Sequence, residues 1–200
     1  MKTQTLIALA SVVVLLSACI PSVNPYYTEK DVVFDPRLLG TWGDPGDSKE
    51  SWRFEAADEK AYKFSVTEEG GKAGSFEARL FKLKGQLFLD IIPKEAELRD
   101  DQAGLVGASL IPGHLLIRIR EIEPTLKADF FDWDWLKKHL ENNPKALRHR
   151  KNGNDIVLLA EPRALQRFVM QHLKDGELFK VENAEAGMQR LTNAPAAPAK

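Results

Sequence analysis

Cysteine is nearly absent from this chain: Cys19 is the only one among 200 residues. A disulfide framework, a Cys-rich zinc site and an iron–sulfur cluster are excluded with it. An excess of charge of one sign is missing as well. Lys and Arg total 28 against 29 Asp and Glu, whereas a nucleic-acid binder carries a basic surplus. Long apolar runs are confined to the first nineteen residues, so no later stretch approaches the roughly 20 residues that a transmembrane helix needs. There is no Gly-rich phosphate loop, no His-Glu-x-x-His and no Gly-x-Ser-x-Gly. The four histidines, His114, His139, His149 and His172, include no pair at i, i+3 or i+4 that would hold a metal from one helix. No catalytic residue, metal ligand or cofactor is therefore assigned. What the chain does have is 44% hydrophobic and 28% charged residues, the balance of a folded globular protein.

The amino terminus carries the strongest local signal. Lys2 precedes an apolar run from Leu6 to Leu16, broken only by Ser11, and Leu16-Ser17-Ala18-Cys19 follows. The run has the length and flanks of a secretory h-region, with small residues before a cleavage site. Leu-Ser-Ala-Cys resembles the lipobox of bacterial lipoproteins. That resemblance implies a signal peptide over 1–18, cleavage between Ala18 and Cys19, a diacylglyceryl thioether on Cys19, and a further acyl chain such as palmitate on the new amino terminus. Burial contributes about 0.8 kcal/mol per CH₂, so two or three chains hold firmly where one holds marginally. The implied location is the bacterial cell envelope, anchored to a membrane without spanning it. Ile20 rather than Asp follows the cysteine, which by resemblance to sorting in Gram-negative bacteria implies the outer membrane, facing the periplasm.

The mature chain divides into three by composition. Residues 19–30 read as a lipidated tether, because Pro21, Asn24 and Pro25 break regular structure. Residues 31–182 read as a single β-rich domain, long enough for one core. Residues 183–200, rich in Ala and Pro and without an aromatic residue, read as a disordered tail. Within the domain Ser51–Glu55 and Ala61–Val66 alternate polar and apolar as half-buried strands do. Phe76–Leu83 alternates until Phe81 and Leu83 shift phase, which a bulge near Leu80 would explain. Gln86–Ile92 is apolar enough for burial on both faces. Strands are expected at His114–Glu121, at Thr125–Phe131, and on either side of the Asn152-Gly153 hairpin signal. Lys94–Gly113 reads as a long loop or one more strand.

Two helices interrupt the strands. Asp132 caps one running to about Glu141, and Pro162 opens another whose Leu165, Phe168, Val169, His172 and Leu173 form an apolar stripe. The expected fold is mainly β with two helices: an antiparallel, barrel-like or strongly curled sheet of about eight strands, the last helix covering it.

Gly40-Thr41-Trp42, entering the first clear strands, is similar to the Gly-x-Trp start of lipocalins and the wider calycin-like group. The resemblance implies that Trp42 plugs the closed end of a β-barrel. The last strand candidate, Asp155–Ala160, brings no arginine to stack on Trp42, and Arg163 comes slightly late. A barrel of about eight strands can hold one small ligand. The expected function is thus a non-enzymatic envelope lipoprotein binding a small apolar or amphipathic molecule, with no ligand-binding residue singled out. The alternative is an interaction or structural lipoprotein that docks on envelope proteins or polyanions without a pocket.

Three further patterns bear on that choice. Lys137–Lys174 holds nine Lys or Arg against three acids, a basic surplus suited to anionic headgroups or to a solvated surface. His114, Arg118 and Arg120 share a strand face and suit a carboxylate or phosphate, or simply face water. Asp132 and Asp134 read as helix-start residues rather than as paired acid catalysts, and of the flanking Trp133 and Trp135 one is expected in the core, the other half exposed.

Overall fold

The computed structural model describes residues 20–58, 60–68, 70–71, 73–94, 112–152, 155–173, 178–180 and 187–192. The signal peptide expected over 1–18, Cys19, most of the Lys94–Gly113 segment and the residues beyond 192 lie outside the described residues.

Seven strands follow one another as an antiparallel meander: β1 (Gly40–Asp44), β2 (Asp47–Asp58), β3 (Ala61–Thr67), β4 (Ala73–Leu83), β5 (Gln86–Pro93), β6 (Leu115–Glu121) and β7 (Lys127–Phe131). Two short strands, β10 (Phe179–Lys180) and β11 (Gln189–Thr192), complete a nine-stranded sheet in the order β10-β7-β6-β5-β4-β3-β2-β1-β11. Eight of these strands are curled through 224° into a half-barrel. A separate hairpin, β8 (His149–Asn152) with β9 (Asp155–Leu158), and two helices, α1 (Trp133–Asn142) and α2 (Pro162–His172), make up the rest. The mainly antiparallel, strongly curled sheet with two helices is the fold that the sequence implies.

Local chemistry accounts for the joints. Lys84 and Gly85 take φ of 46° and 92° between Leu83 and its partner Gln86, as a two-residue hairpin turn requires. Asp132 caps α1, its carboxylate accepting from Trp135 N–H at 2.9 Å. Pro162 occupies the first turn of α2, where a missing N–H costs nothing.

Two cores lie on opposite faces of the sheet. The concave face encloses Trp42, Phe54, Tyr62, Phe64, Leu80 and Ile117, among others. On the outer face Phe81, Phe88, Leu116, Phe131 and Phe179 pack beneath α1, α2 and the β8–β9 hairpin. This second core corrects the expected bulge. The β4–β5 register runs unbroken from Phe76–Pro93 to Leu83–Gln86, and Phe81 and Leu83 are apolar because the helical layer covers them. Alternate residues of β4 thus serve different cores.

Three other expectations are corrected. The Asn152-Gly153 hairpin forms a sheet of its own, so the main sheet takes its extra members from β1, β10 and β11. Residues 187–192 are not tail: β11 pairs with β1, and Met188 and Leu126 exchange two backbone hydrogen bonds of 2.8 and 2.9 Å. Those bonds join the two sides of the curl at one end. Nor is the segment after Ile20 a loose tether. Ile20, Ser22 and Tyr26 are 2%, 0% and 1% exposed.

Candidate functional site

The closed end is built around Trp42. A short turn of 3-10 helix, Pro36–Leu38, is opened by Asp35, whose carboxylate accepts from Arg37 N–H. The turn delivers the chain to Gly40, where a φ of 122° favours glycine. Trp42 is then fully buried and donates its indole N–H to Leu38 O at 2.9 Å. Arg190 of β11 lies over the Trp42 ring at 4.1 Å from its centroid. Its guanidinium donates to Leu39 O, to Arg37 O at 2.6 Å and to Glu123 at 3.0 Å. Asp155–Ala160 is thus not the last strand: the arginine it lacks comes from β11, in the stretch expected to be tail.

Above that plug the concave face is filled by the chain's own rings. Phe54 stacks on Phe64 with centroids 4.6 Å apart, and Trp52 meets Phe64 edge-on at 5.2 Å. Trp52 of β2 also meets Phe130 of β7 at 5.8 Å. Four strands separate these two in sheet order, so this contact crosses the half-barrel. Burial raises the pKa of Tyr62, whose hydroxyl donates to Asp35 O and accepts from Asp35 N–H. Towards the opposite end Trp52, Phe76 and Phe130 are only half-buried.

The outer faces of β5 to β7 carry two buried carboxylates. Asp90 is 2% exposed; it meets His114 Nδ1 at 2.6 Å and accepts from Tyr26 N–H at 2.8 Å. Burial pushes its carboxyl pKa up, against the pull of the His114 contact. Asp129 accepts from Arg118 Nε at 2.7 Å and Arg120 Nε at 3.0 Å. His114, Arg118 and Arg120 therefore do hold carboxylates, but those of their own chain. Asp90, His114 and Ser22 include the residue types of a nucleophilic triad. Ser22 nevertheless meets His114 through backbone atoms, and its Oγ accepts from Asn24 N–H at 3.3 Å.

The remaining predicted residues sit on the helical layer. His139 and His172, far apart in sequence, come together with ring centroids 4.6 Å apart, beside Trp135 and Phe168. Among the described residues no three His, Cys, Asp or Glu are grouped to hold a metal. His149 meets Leu147 O. Trp133 and Trp135 are both half-buried against the outer core, so neither takes the fully buried role expected of one of them.

The segment after residue 19 was the feature the sequence concealed. Ser22 N–H donates to His114 O at 2.9 Å, and His114 N–H returns the bond to Ser22 O at 2.8 Å. On its other side Leu158 N–H donates to Pro21 O and Val23 N–H donates to Leu158 O, both at 2.9 Å. Residues 21–23 thereby form a rung between β9 and the start of β6, stitching the hairpin to the half-barrel. Gly113 is required beside it, since a Cβ there would lie 2.5 Å from Pro21 Cβ. Ile20 and Tyr26, apolar residues on either side of the breakers, were the available signal. Comparison with protein-family models, curated proteins and solved structures found no match to this chain.

Proposed function

We propose that this protein is a bacterial envelope lipoprotein, anchored through acylated Cys19 after removal of residues 1–18, whose domain is a non-enzymatic interaction module. The observation that carries the choice of module over carrier is the filled concave face. Trp42, Phe54, Tyr62, Phe64, Leu80 and Ile117 occupy it at 1% exposure or less, and Trp52 reaches Phe130 across it. A deep ligand would have to displace well-packed rings and make good their lost contacts, and a buried aromatic side chain is worth about 3–5 kcal/mol by truncation. The lipobox supports the anchor, and Arg190 over Trp42 supports the lipocalin-like resemblance.

The test uses residues 20–200 produced without signal peptide or lipid, keeping Ile20 because it is part of the outer core. The purified protein is incubated with envelope lipid extract, re-isolated and extracted with organic solvent for mass spectrometry. No stoichiometric lipid is expected. A reproducible lipid at one per chain would overturn the module reading. It would favour a carrier whose ligand sits at the open end, where the half-buried Trp52, Phe76 and Phe130 leave apolar surface. Mass spectrometry of the mature native protein checks the anchor: the amino-terminal peptide should begin at Cys19 with its acyl groups.

A further inference from the structure

We infer that the layer made by α1, α2 and the β8–β9 hairpin is the bilayer-facing side of the domain, held against anionic phospholipid headgroups with no flexible tether; this rests on Cys19 being the anchor. Covalent geometry supplies the first step. Adjacent Cα atoms are about 3.8 Å apart, so an anchor at Cys19 lies one residue from Ile20, which is 2% exposed in the outer core with Leu116 and Ile156. The acyl chains must leave the protein beside that packed point.

Register supplies the direction. Ser22 pairs with Leu158 in parallel. Moving backwards from Ser22 towards Cys19 therefore follows β9 backwards, from Leu158 towards Asp155 and the hairpin turn. The rung at residues 21–23 is fixed on both sides by the four backbone bonds with His114 and Leu158. Asn24 adds a side-chain bond to Ala160 O at 3.2 Å. A domain gripped this way cannot swing about its anchor as it would on a free linker.

Charge supplies the partner. Lys145, Arg148, Arg150, Arg163 and Arg167 are all exposed on this layer, and none has an ion-pair partner among the described residues. Lys151 is the exception, paired with Glu141 at 2.8 Å. The outer surface of β2 to β4 is different. There Arg53 and Lys63 share Glu55, and Arg79 lies between Glu77 and Asp58. Exposed cations without an ion-pair partner among the described residues also occur singly at Lys30, Lys60, Lys82 and Lys84, but residues 145–167 bring five of them onto the one layer to which the anchor segment is stitched. Each basic residue near an anionic surface strengthens attraction by about fivefold.

The experiment uses full-length protein, processed and acylated in its host, purified in detergent and reconstituted into vesicles with and without phosphatidylglycerol. A lipidated Cys19 has no free thiol, so a cysteine introduced by Arg150→Cys or by Lys63→Cys takes a fluorophore alone. Quenching is read with a quencher attached to lipid headgroups. The expected result is at least severalfold stronger quenching at position 150 than at position 63 in phosphatidylglycerol vesicles. Reversing Arg148, Arg163 and Arg167 to Glu should narrow that contrast, with unchanged acylation by mass spectrometry. Equal quenching at the two positions in acylated protein would overturn the orientation. Loss of vesicle association together with an unmodified Cys19 would instead overturn the anchor reading beneath it.

Discussion

The two walls of the half-barrel solve the same packing problem with different numbers of layers. The β2–β3 wall buries one face. Trp52, Phe54, Tyr62 and Phe64 point inward, while Arg53, Glu55 and Lys63 meet water in ion pairs. The β5–β7 wall is covered on both faces, so its outer side alternates Phe88, Leu116 and Phe131 with Asp90 and Asp129. On the first wall a charged pair is solvated and interchangeable. On the second each carboxylate has left water and depends on named partners. The same residue types carry different energetic weight according to the layer above them.

The comparison breaks most visibly at Asp129. Asp129→Ala leaves Arg118 and Arg120 without their buried carboxylate and is expected to cost about 3–5 kcal/mol in urea unfolding. Arg53→Ala on the wet wall should cost less than about 1 kcal/mol. Comparable losses from the two variants would refute the distinction.

The joint between the walls is tested at Arg190. Arg190→Ala removes the contact with the Trp42 face and charged hydrogen bonds to two carbonyls, an expected loss of about 2–3 kcal/mol by denaturation followed through Trp fluorescence. Arg190→Lys should recover less than half, because an ammonium cannot reproduce the planar fork. Full recovery would reduce the interaction to a simple charge.

Smaller effects sharpen the picture. Asp132→Ala should lower stability by about 1 kcal/mol through loss of the α1 cap, and thermal melts should show it. Tyr62 supplies the pH test. Its folded pKa is raised by burial, so the stability tied to the neutral phenol is intact below about pH 10, the unfolded value, and falls as pH rises above it. Tyr62→Phe should flatten the alkaline limb of the stability curve. A limb of unchanged slope would assign the alkaline loss to other groups.

Legibility in the sequence followed the same division. Strands with one wet face announce themselves by alternation, and Ser51–Glu55 and Ala61–Val66 lie inside β2 and β3. Where both faces are covered, period two disappears. Phe81 and Leu83 then looked like a phase slip, although they mark the helical layer. Composition misled at both ends. Gln189–Thr192 sits next to an Ala- and Pro-rich stretch that dominated the reading, and Arg190 gains meaning only beside Trp42. Pro21, Ser22 and Asn24 are turn formers by local chemistry. They become a structural rung because β6 and β9 offer backbone partners that no local window contains.

That rung also imposes an order of events. Its partners His114 and Leu158 lie about ninety and more than a hundred residues downstream, so the contacts are of high order and form late. Until the chain reaches Leu158, residues 21–23 can be held on one side at most. The segment that closes the hairpin onto the half-barrel is therefore fixed only when nearly the whole domain is in place, and its hold reports on the completeness of everything between.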